Sequence, residues 1–432
     1  MKHGFARTMG FLMAAVLLLA MVLPAQAATT GKSGPFSYTL KGDGTASITG
    51  FAWGQYKDNE NIVIPQMIDG YTVTDIGSFA FAGGKSKLST RYHEGTYFAK
   101  VIIPGTVQKV REKAFFNSGI GYFTIPASVK TIETAAFCTG ALRNVTVDNK
   151  NENYASIDGS LYSKKDKELL ALAVETTSIP NGIISIGEYS CINGLIKLTK
   201  VKFPSSIEII KSYAFNGIDS YGDGTIRFDH VKSVGDYAFA SLRESGVTIY
   251  FGSTLSEIGK RAFADASLKA LHLEQCTKIT KIPEGAFEDF SHSSKEKMHL
   301  PSSITEICDE AFAKTFIAKF AFDHMKPITI GSRAFAETDG VLDVDDDFFS
   351  RVESIGEYAF RGACFTLSRD FQNIKDVITL PSSCTFIGKG AFDSKVTAFK
   401  VQPGSYAEEW AQENGYEYDN GTKAEADTSW LN

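Results

Sequence analysis

The chain has 432 residues, with 44 lysines and arginines against 50 aspartates and glutamates, and a formal net charge of −6. Without its first 27 residues, which carry Lys2 and Arg7 but no acidic residue, 42 basic and 50 acidic residues remain, a net charge of −8. Proteins that bind nucleic acid or anionic membranes usually carry a basic excess. The composition therefore argues against both classes, and we expect no nucleic-acid partner.

The first 27 residues have the three parts of a secretory signal peptide. A basic start with Lys2 and Arg7 is followed by an apolar core, residues 11–23, that is too short to span a bilayer comfortably. Pro-Ala-Gln-Ala then supplies small residues for cleavage, so we expect the mature chain to begin at Ala28. An uncleaved N-terminal membrane anchor is the alternative interpretation. No later segment is apolar for long enough to predict a membrane span.

Residues 28–60 are predicted to form an N-terminal cap built on a β-hairpin. Ser37–Leu40 and Ala46–Thr49 alternate polar and apolar residues, as strands with one buried face do. The glycines of the connecting segment permit the positive φ that tight hairpin turns need. This region lies outside the repeats that follow, and a repeat array needs such a cap to cover its first apolar face and open sheet edge.

A six-residue frame recurs along most of the chain: an aliphatic residue, usually glycine, two polar or aromatic residues, alanine, and phenylalanine. Its twelve copies begin at Ile76, Val110, Ile132, Ile186, Ile210, Val234, Ile258, Ile282, Ile307, Ile330, Ile355 and Ile387. They end at Phe81, Phe115, Phe137, Phe215, Phe239, Phe263, Phe287, Phe312, Phe335, Phe360 and Phe392, with Cys191 in the remaining copy. Such a recurrence is the sequence signature of a repeat protein.

A short strand precedes many frames by about seven residues and often ends in proline, as in Val101–Pro104 and Met298–Pro301. Its alternating residues predict one buried face, and proline ends the strand because it has no N–H for the ladder. The terminal phenylalanines recur every 23 to 25 residues from Phe215 to Phe360. We therefore expect residues 61–400 to form about twelve repeats, whose strands stack in parallel about 4.8 Å apart. The phenylalanines should stack on one another, and Ala-Phe of each frame should lie on a short helical or 3-10 turn.

Two further elements interrupt or end the repeats. Between Phe137 and Cys191, residues of about 145–175 predict an inserted hairpin of strand, charged turn and strand. Residues 401–418 predict a final cap with a strand and a helix, in which Ser405 and Glu408 have the spacing of a capping box. Residues 419–432 are polar and predict a disordered tail.

The Ile-Gly-x-x-Ala-Phe frame after a proline-ended strand resembles the BspA-like, or Treponema pallidum-type, leucine-rich repeat family of bacterial secreted and cell-surface proteins. Asn153–Tyr162 is similar to the inserted hairpin of that family, and Pro403–Ala407 is similar to its C-terminal cap. The resemblance covers roughly residues 36–418. It implies a right-handed α/β solenoid, shaped as an arc, with a parallel β-sheet on the concave side. It also implies an extracellular role in adhesion or protein binding. It does not imply catalysis.

Six cysteines follow the signal segment: Cys138, Cys191, Cys276, Cys308, Cys364 and Cys384. No pair has the CxxC spacing of a zinc site or a redox motif. Several stand where the repeat has an apolar residue, which favours buried free thiols that act as small hydrophobes. Disulfides are the alternative, because secretion would expose the chain to an oxidising environment.

The candidate binding residues occupy the outward position of successive strands. This position varies from repeat to repeat, whereas the core positions keep one chemical character. The residues are Lys202, Arg227, Tyr250, His272, His299, Asp343 and Thr379, with Ala321 between His299 and Asp343. Either the row is a recognition surface, or it is a polar sheet face that tolerates any polar residue.

Two other clusters have weaker functional interpretations. His272 and His299 fall in adjacent repeats and could meet a metal ion or respond to pH, but two surface histidines on a sheet are the simpler interpretation. The acidic run Asp343–Asp347 lacks the glycine and distal glutamate of a standard calcium loop, which favours a solvated turn. We therefore expect no metal and no cofactor.

The pattern as a whole favours a secreted, non-enzymatic protein, monomeric, that binds an extracellular protein or polysaccharide through its extended sheet face. The sequence contains no HExxH, GxSxG or phosphate-binding glycine loop. A structural cell-envelope scaffold without a dedicated ligand is the alternative function.

Overall fold

The computed structural model describes residues 29–56, 60–83, 99–192, 194–219, 222–293, 297–317, 320–322, 326–338, 348–363, 376–393 and 397–422. The predicted signal peptide, the Asp343–Asp347 run and residues 423–432 lie outside these ranges. The described residues form a solenoid of about 14 turns with parallel sheets and few helices, which confirms the predicted repeat fold.

A first parallel ladder is built by the frames themselves, each of which begins in a short strand. Its strands are β6 (Tyr71–Ile76), β8 (Lys109–Val110), β10 (Thr131–Ile132), β15 (Ser185–Ile186), β16 (Ile209–Ile210), β18 (Ser233–Val234), β20 (Glu257–Ile258), β22 (Lys281–Ile282), β25 (Glu306–Ile307), β28 (Ile328–Ile330), β29 (Val352–Ile355) and β31 (Phe386–Ile387). The sequence pattern did not predict this ladder, because two residues are too few to show a strand periodicity.

A second ladder contains the strands that precede the frames, as predicted. Its strands are β4 (Ile62–Val63), β7 (Lys100–Ile102), β9 (Tyr122–Ile125), β11 (Asn144–Val147), β17 (Asp223–Phe228), β19 (Arg243–Phe251), β21 (Ser267–His272), β23 (Ser291–His292), β24 (Met298–Leu300), β26 (Phe316–Ile317), β27 (Phe320–Phe322), β30 (Asp376–Thr379), β32 (Thr397–Lys400) and β33 (Glu417–Asp419). These strands pair in parallel within four separate sheets, as in β17 with β19 and β7 with β9.

We call the rest of each frame the frame turn. It was predicted to be helical, but the structure shows that it is not. It forms consecutive hydrogen-bonded turns, and the fourth frame residue has a positive φ, such as 58° at Tyr213 and 57° at Tyr358. A residue in this left-handed region cannot continue a right-handed helix. The described 3-10 segments lie elsewhere, at Trp53–Gln55, Leu198–Lys200 and Phe349–Arg351.

Glycine at the second frame position lets successive repeats approach closely. A Cβ added at Gly356 would lie 2.4 Å from the main-chain nitrogen of Ser332, one repeat away. At Gly259 it would lie 2.4 Å from the nitrogen of Asp236. No real Cβ is found this close to main-chain atoms, so the glycines are needed for contact between repeats and not for an unusual φ.

The frame phenylalanines stack as a ladder, as predicted. Neighbouring rings have centroid distances of 4.8–5.4 Å. One section runs from Phe81 to Phe137 and a longer one runs from Phe215 to Phe392. Cys191, which is fully buried, stands between the two sections. Each phenylalanine therefore buries its faces against neighbouring repeats, so no repeat is stable alone.

Main-chain hydrogen bonds connect the frame turns. The N–H of the sixth frame residue donates to the fifth residue of the next frame, as from Phe263 to the oxygen of Ala286 at 2.8 Å. The N–H of the fourth residue donates to the third residue of the next frame, as from Arg261 to the oxygen of Glu284 at 3.1 Å. Frames therefore hold each other through their turns as well as their strands.

The N-terminal cap is a three-stranded antiparallel sheet that contains the predicted hairpin. Its strands are β1 (Thr30–Ser33), β2 (Phe36–Leu40) and β3 (Thr45–Phe51). β3 then pairs in parallel with β6, which also pairs with the short β5 (Met67–Ile68). The buried carboxylate of Asp75 in β6 joins cap and repeats, because it binds Lys41 at 2.7 Å and Arg111 at 3.1 Å.

The inserted segment contains β12 (Tyr154–Ile157), β13 (Ser160–Ser163) and β14 (Glu168–Ala171), which pair in antiparallel order. β14 pairs in parallel with β15 of the next frame and so enters the first ladder. The insertion is therefore a hairpin whose last strand takes part in the repeat stack.

The C-terminal cap contains the predicted helix, α1 (Tyr406–Glu413), and the Ser405 hydroxyl accepts a hydrogen bond from the Glu408 N–H at 3.3 Å. After the helix, β33 pairs in parallel with β32. The predicted tail from residue 419 is therefore wrong at its start, because Asp419 pairs with Lys400. The polar sequence gave no sign of strand β33, which is the last strand of the second ladder.

Replacing Gly356 by alanine tests the close approach of the repeats. We expect Gly356→Ala to lower the free energy of unfolding by about 1–3 kcal/mol, because the added methyl overlaps the Ser332 main chain. Gly105→Ala is the matched control, since a Cβ at Gly105 would meet no atom within 4 Å. Urea denaturation followed by circular dichroism measures both, and equal stability of the two variants would contradict the packing argument.

Candidate binding surface

Three of the predicted binding residues lie side by side on neighbouring strands of the second ladder. Arg227 in β17 is in register with Tyr250 in β19, and Tyr250 is in register with His272 in β21. The strand pattern had placed these residues at equivalent positions. The structure adds that their side chains contact one another.

These three side chains form a stack, which we call the Arg–Tyr–His column. The guanidinium carbon of Arg227 lies 4.7 Å from the centroid of the Tyr250 ring, within cation–π distance. The rings of Tyr250 and His272 have centroids 4.1 Å apart and planes within 1° of parallel. Stacking occupies the ring faces inside the column, so the edges and polar tips are presented outward.

A carboxylate two residues further along each strand holds both ends of the column. Asp229 binds Arg227 with a distance of 3.0 Å between Oδ1 and a guanidinium nitrogen, and its hydrogen bond raises the pKa of Arg227. Glu274 Oε1 lies 3.2 Å from Nδ1 of His272. The Arg227 side chain is 58% exposed, which leaves guanidinium donors for a ligand.

The remaining predicted residues do not join the column. Lys202 is exposed but lies outside the named strands and forms an isolated bridge with Ser178. His299 pairs with Ala321 in the two-stranded sheet of β24 and β27. Thr379 pairs with Lys400 near the C-terminal cap. Asp343 lies outside the described residues. The row is thus broken into parts along the solenoid.

A tyrosine column on the frame turns was not predicted. The rings of Tyr189, Tyr213 and Tyr237 stack at 4.7 and 5.0 Å, with planes within 6° and 2° of parallel. Lys113 lies 5.0 Å from the Tyr189 ring, and burial raises the pKa of Tyr189 to about 12. The signal was present in the sequence, since all three tyrosines are the fourth residues of their frames.

No group of three or more His, Cys, Asp or Glu side chains is arranged to hold a metal ion in the described part of the chain. The stacking of His272 on Tyr250 assigns this histidine to the column. Among the described residues, no helix is both long and apolar enough to cross a membrane.

The five described cysteines, Cys138, Cys191, Cys276, Cys308 and Cys384, are free thiols, and all but Cys308 are buried. Burial raises the pKa of both Cys191 and Cys276 to about 12. These thiols therefore act as apolar packing groups, which was one of the two interpretations of the sequence. Cys364 lies outside the described residues.

The model of the BspA type leucine rich repeat region matches this chain in six copies, which include residues 46–167, 86–222, 170–291, 224–342 and 328–404. The chain belongs to this family of leucine-rich repeat proteins. No curated protein matches it.

Solved structures of leucine-rich repeat proteins are similar along most of their length. A leucine rich cell surface protein from Faecalibacterium prausnitzii is 17% identical, with a TM-score of 0.39, over 93% of this chain and 97% of that one. A leucine-rich repeat protein from Eubacterium ventriosum is 17% identical, with a TM-score of 0.37, over 85% and 95%. The pneumococcal vaccine antigen PcpA is 16% identical, with a TM-score of 0.33, over 92% and 99%.

Alkylation of the cysteines tests their free, buried state. We expect iodoacetamide at about pH 8 to leave Cys191 and Cys276 unmodified in the folded protein, because few of these thiols ionise. After unfolding in guanidinium without reductant, mass spectrometry should find both alkylated. If they resist alkylation until a reductant is added, they form disulfides and the free-thiol assignment is wrong.

Proposed function

We propose that this chain is a secreted, cell-surface-associated protein that binds an extracellular protein or polysaccharide without catalysis. The predicted signal segment at residues 1–27 supports secretion, and the resemblance to BspA-like proteins supports a role in adhesion. The single observation that carries the proposed binding function is the Arg–Tyr–His column on the second ladder.

The column has the properties of a pre-organised recognition surface. Its rings and guanidinium are already held by stacking and by Asp229 and Glu274, so a ligand would not have to order them. Arginine and tyrosine are enriched among the residues that dominate binding energy at interfaces. The guanidinium, phenol and imidazole edges offer donors to carbonyl, hydroxyl and carboxylate oxygens, which protein and polysaccharide surfaces both present.

Arrays of extracellular glycans and matrix proteins, followed by titration of each hit, test this function. We expect saturable binding, and we expect Arg227→Ala/Tyr250→Ala/His272→Ala to weaken it by about tenfold or more, because the triple variant removes the whole column. The matched control is Ser233→Ala/Glu257→Ala/Lys281→Ala, which changes the residue just before each of three successive frames, in strands β18, β20 and β22 of the first ladder.

Unchanged affinity of the column variant for a confirmed partner would contradict the proposed surface. Absence of saturable binding at micromolar concentration to every array member would favour a structural cell-envelope scaffold. Circular dichroism of both triple variants shows whether each retains the wild-type fold.

A further inference from the structure

The inserted hairpin leaves a notch in the row of frame turns. β14 takes the place of a frame, because Leu169 accepts a hydrogen bond from the Gly187 N–H and the Leu172 N–H donates to Ser190. In other repeats these two places belong to the first and sixth frame residues, five positions apart. Here Leu169 and Leu172 are only three positions apart, so the hairpin strand lacks two residues of the outward turn.

The space that the missing turn would fill is a cavity of about 190 Å³. One wall is the frame turn at residues 133–137, and the opposite wall is Gly187 and Glu188 of the next frame. Glu168 and Leu170 of β14 line the cavity between these walls. In an uninterrupted stack a third frame turn would lie between these two walls. The notch is the space that this missing turn leaves.

Main-chain groups in the notch lack the partners that they have elsewhere in the solenoid. The sixth-residue N–H bonds to the next frame wherever a frame follows, except at Phe137. The fourth-residue N–H of Ala135 donates no hydrogen bond to a described residue, which is also true of Tyr189, and the carbonyl of Glu188 accepts none from a described residue. Ala135 and Phe137 are buried, and a buried N–H without an acceptor is unfavourable.

The charge of the notch is negative. Among the described lining residues, Glu133, Asp166, Glu168 and Glu188 supply four carboxylates and Lys211 supplies one amine. Lys211 binds Glu168 at 2.6 Å, and Glu133 binds Lys109 at 2.9 Å outside the lining. Asp166 and Glu188 form no ion pair with a described basic residue, so they remain to attract a cation.

We propose that the notch binds one extended segment of a partner polypeptide, which completes the interrupted stack and places a lysine or arginine beside Glu188 and Asp166. The segment's carbonyls accept from the Ala135 and Phe137 N–H groups, and its N–H donates to the Glu188 carbonyl. This is the addition of a main chain to an open hydrogen-bonding edge, with a charged side chain supplying the preference. The site is separate from the Arg–Tyr–His column and does not rest on the function proposed for it.

Blocked pentapeptides titrated into the purified protein test the proposal by isothermal calorimetry. We expect acetyl-TVKVT-amide to bind one to one with a dissociation constant of about 1 mM or tighter. TVEVT, with the opposite charge, should bind about tenfold more weakly. TVKVT methylated on its backbone nitrogens should also lose about tenfold, because methylation removes the donors to the main chain.

Two variants locate the site on the protein. Thr134→Trp places a large side chain in the notch and should abolish binding of TVKVT. Ser78→Trp is the matched control, because Ser78 is also exposed and is also the third residue of its frame. Glu188→Gln should weaken the affinity for TVKVT by about tenfold without weakening the affinity for TVEVT. This substitution adds no volume to the side chain, so we expect the variant to fold.

Three outcomes would overturn the proposal: no binding of TVKVT, equal binding of the methylated peptide, or unchanged binding by Thr134→Trp with a wild-type circular dichroism spectrum. A fourth is a dimer in light scattering that Thr134→Trp dissociates, since the notch would then receive a second copy of this chain. None of these outcomes would contradict binding of array partners by the Arg–Tyr–His column, which is tested separately.

Discussion

The distance of about 5 Å between successive main chains is the constraint on which the other features of this solenoid depend. At that distance the N–H of Phe263 reaches the carbonyl of Ala286, and the rings of the two nearest frame phenylalanines stack. The second frame position of Gly356 has no room for a side chain for the same reason, since a Cβ there would overlap the neighbouring repeat. The residues of each frame therefore allow the same close contact between successive repeats, and this contact recurs along the chain.

The sequence was sufficient to predict the features that recur in every repeat because of this contact. The twelve frames, the phenylalanine ladder, the proline-ended strands and the inserted hairpin all follow from spacing and alternation. The first ladder could not be predicted, because its strands contribute as few as two residues each. The frame turns were expected to be helical, since nothing in a single frame reveals the positive φ of a residue such as Tyr213.

Prediction of the candidate site was partial for a related reason. Alignment of repeats places Arg227, Tyr250 and His272 at one outward position, but only coordinates show the rings at 4.1 Å and the guanidinium over the tyrosine. Side-chain rotamers decide whether neighbours on a sheet stack, and spacing does not fix rotamers. The same alignment grouped His299 and Thr379 with this column, although the ladder is divided into separate sheets between them.

Hydrogen–deuterium exchange with residue-level mass spectrometry tests the central claim, that each frame turn is held by main-chain bonds to the next. The account predicts slow exchange at the amides of Phe239 and Phe263, which donate to the following frame, and faster exchange at Ala135 and Phe137, where the following turn is missing. Equal protection at all four amides in the unliganded protein would contradict it.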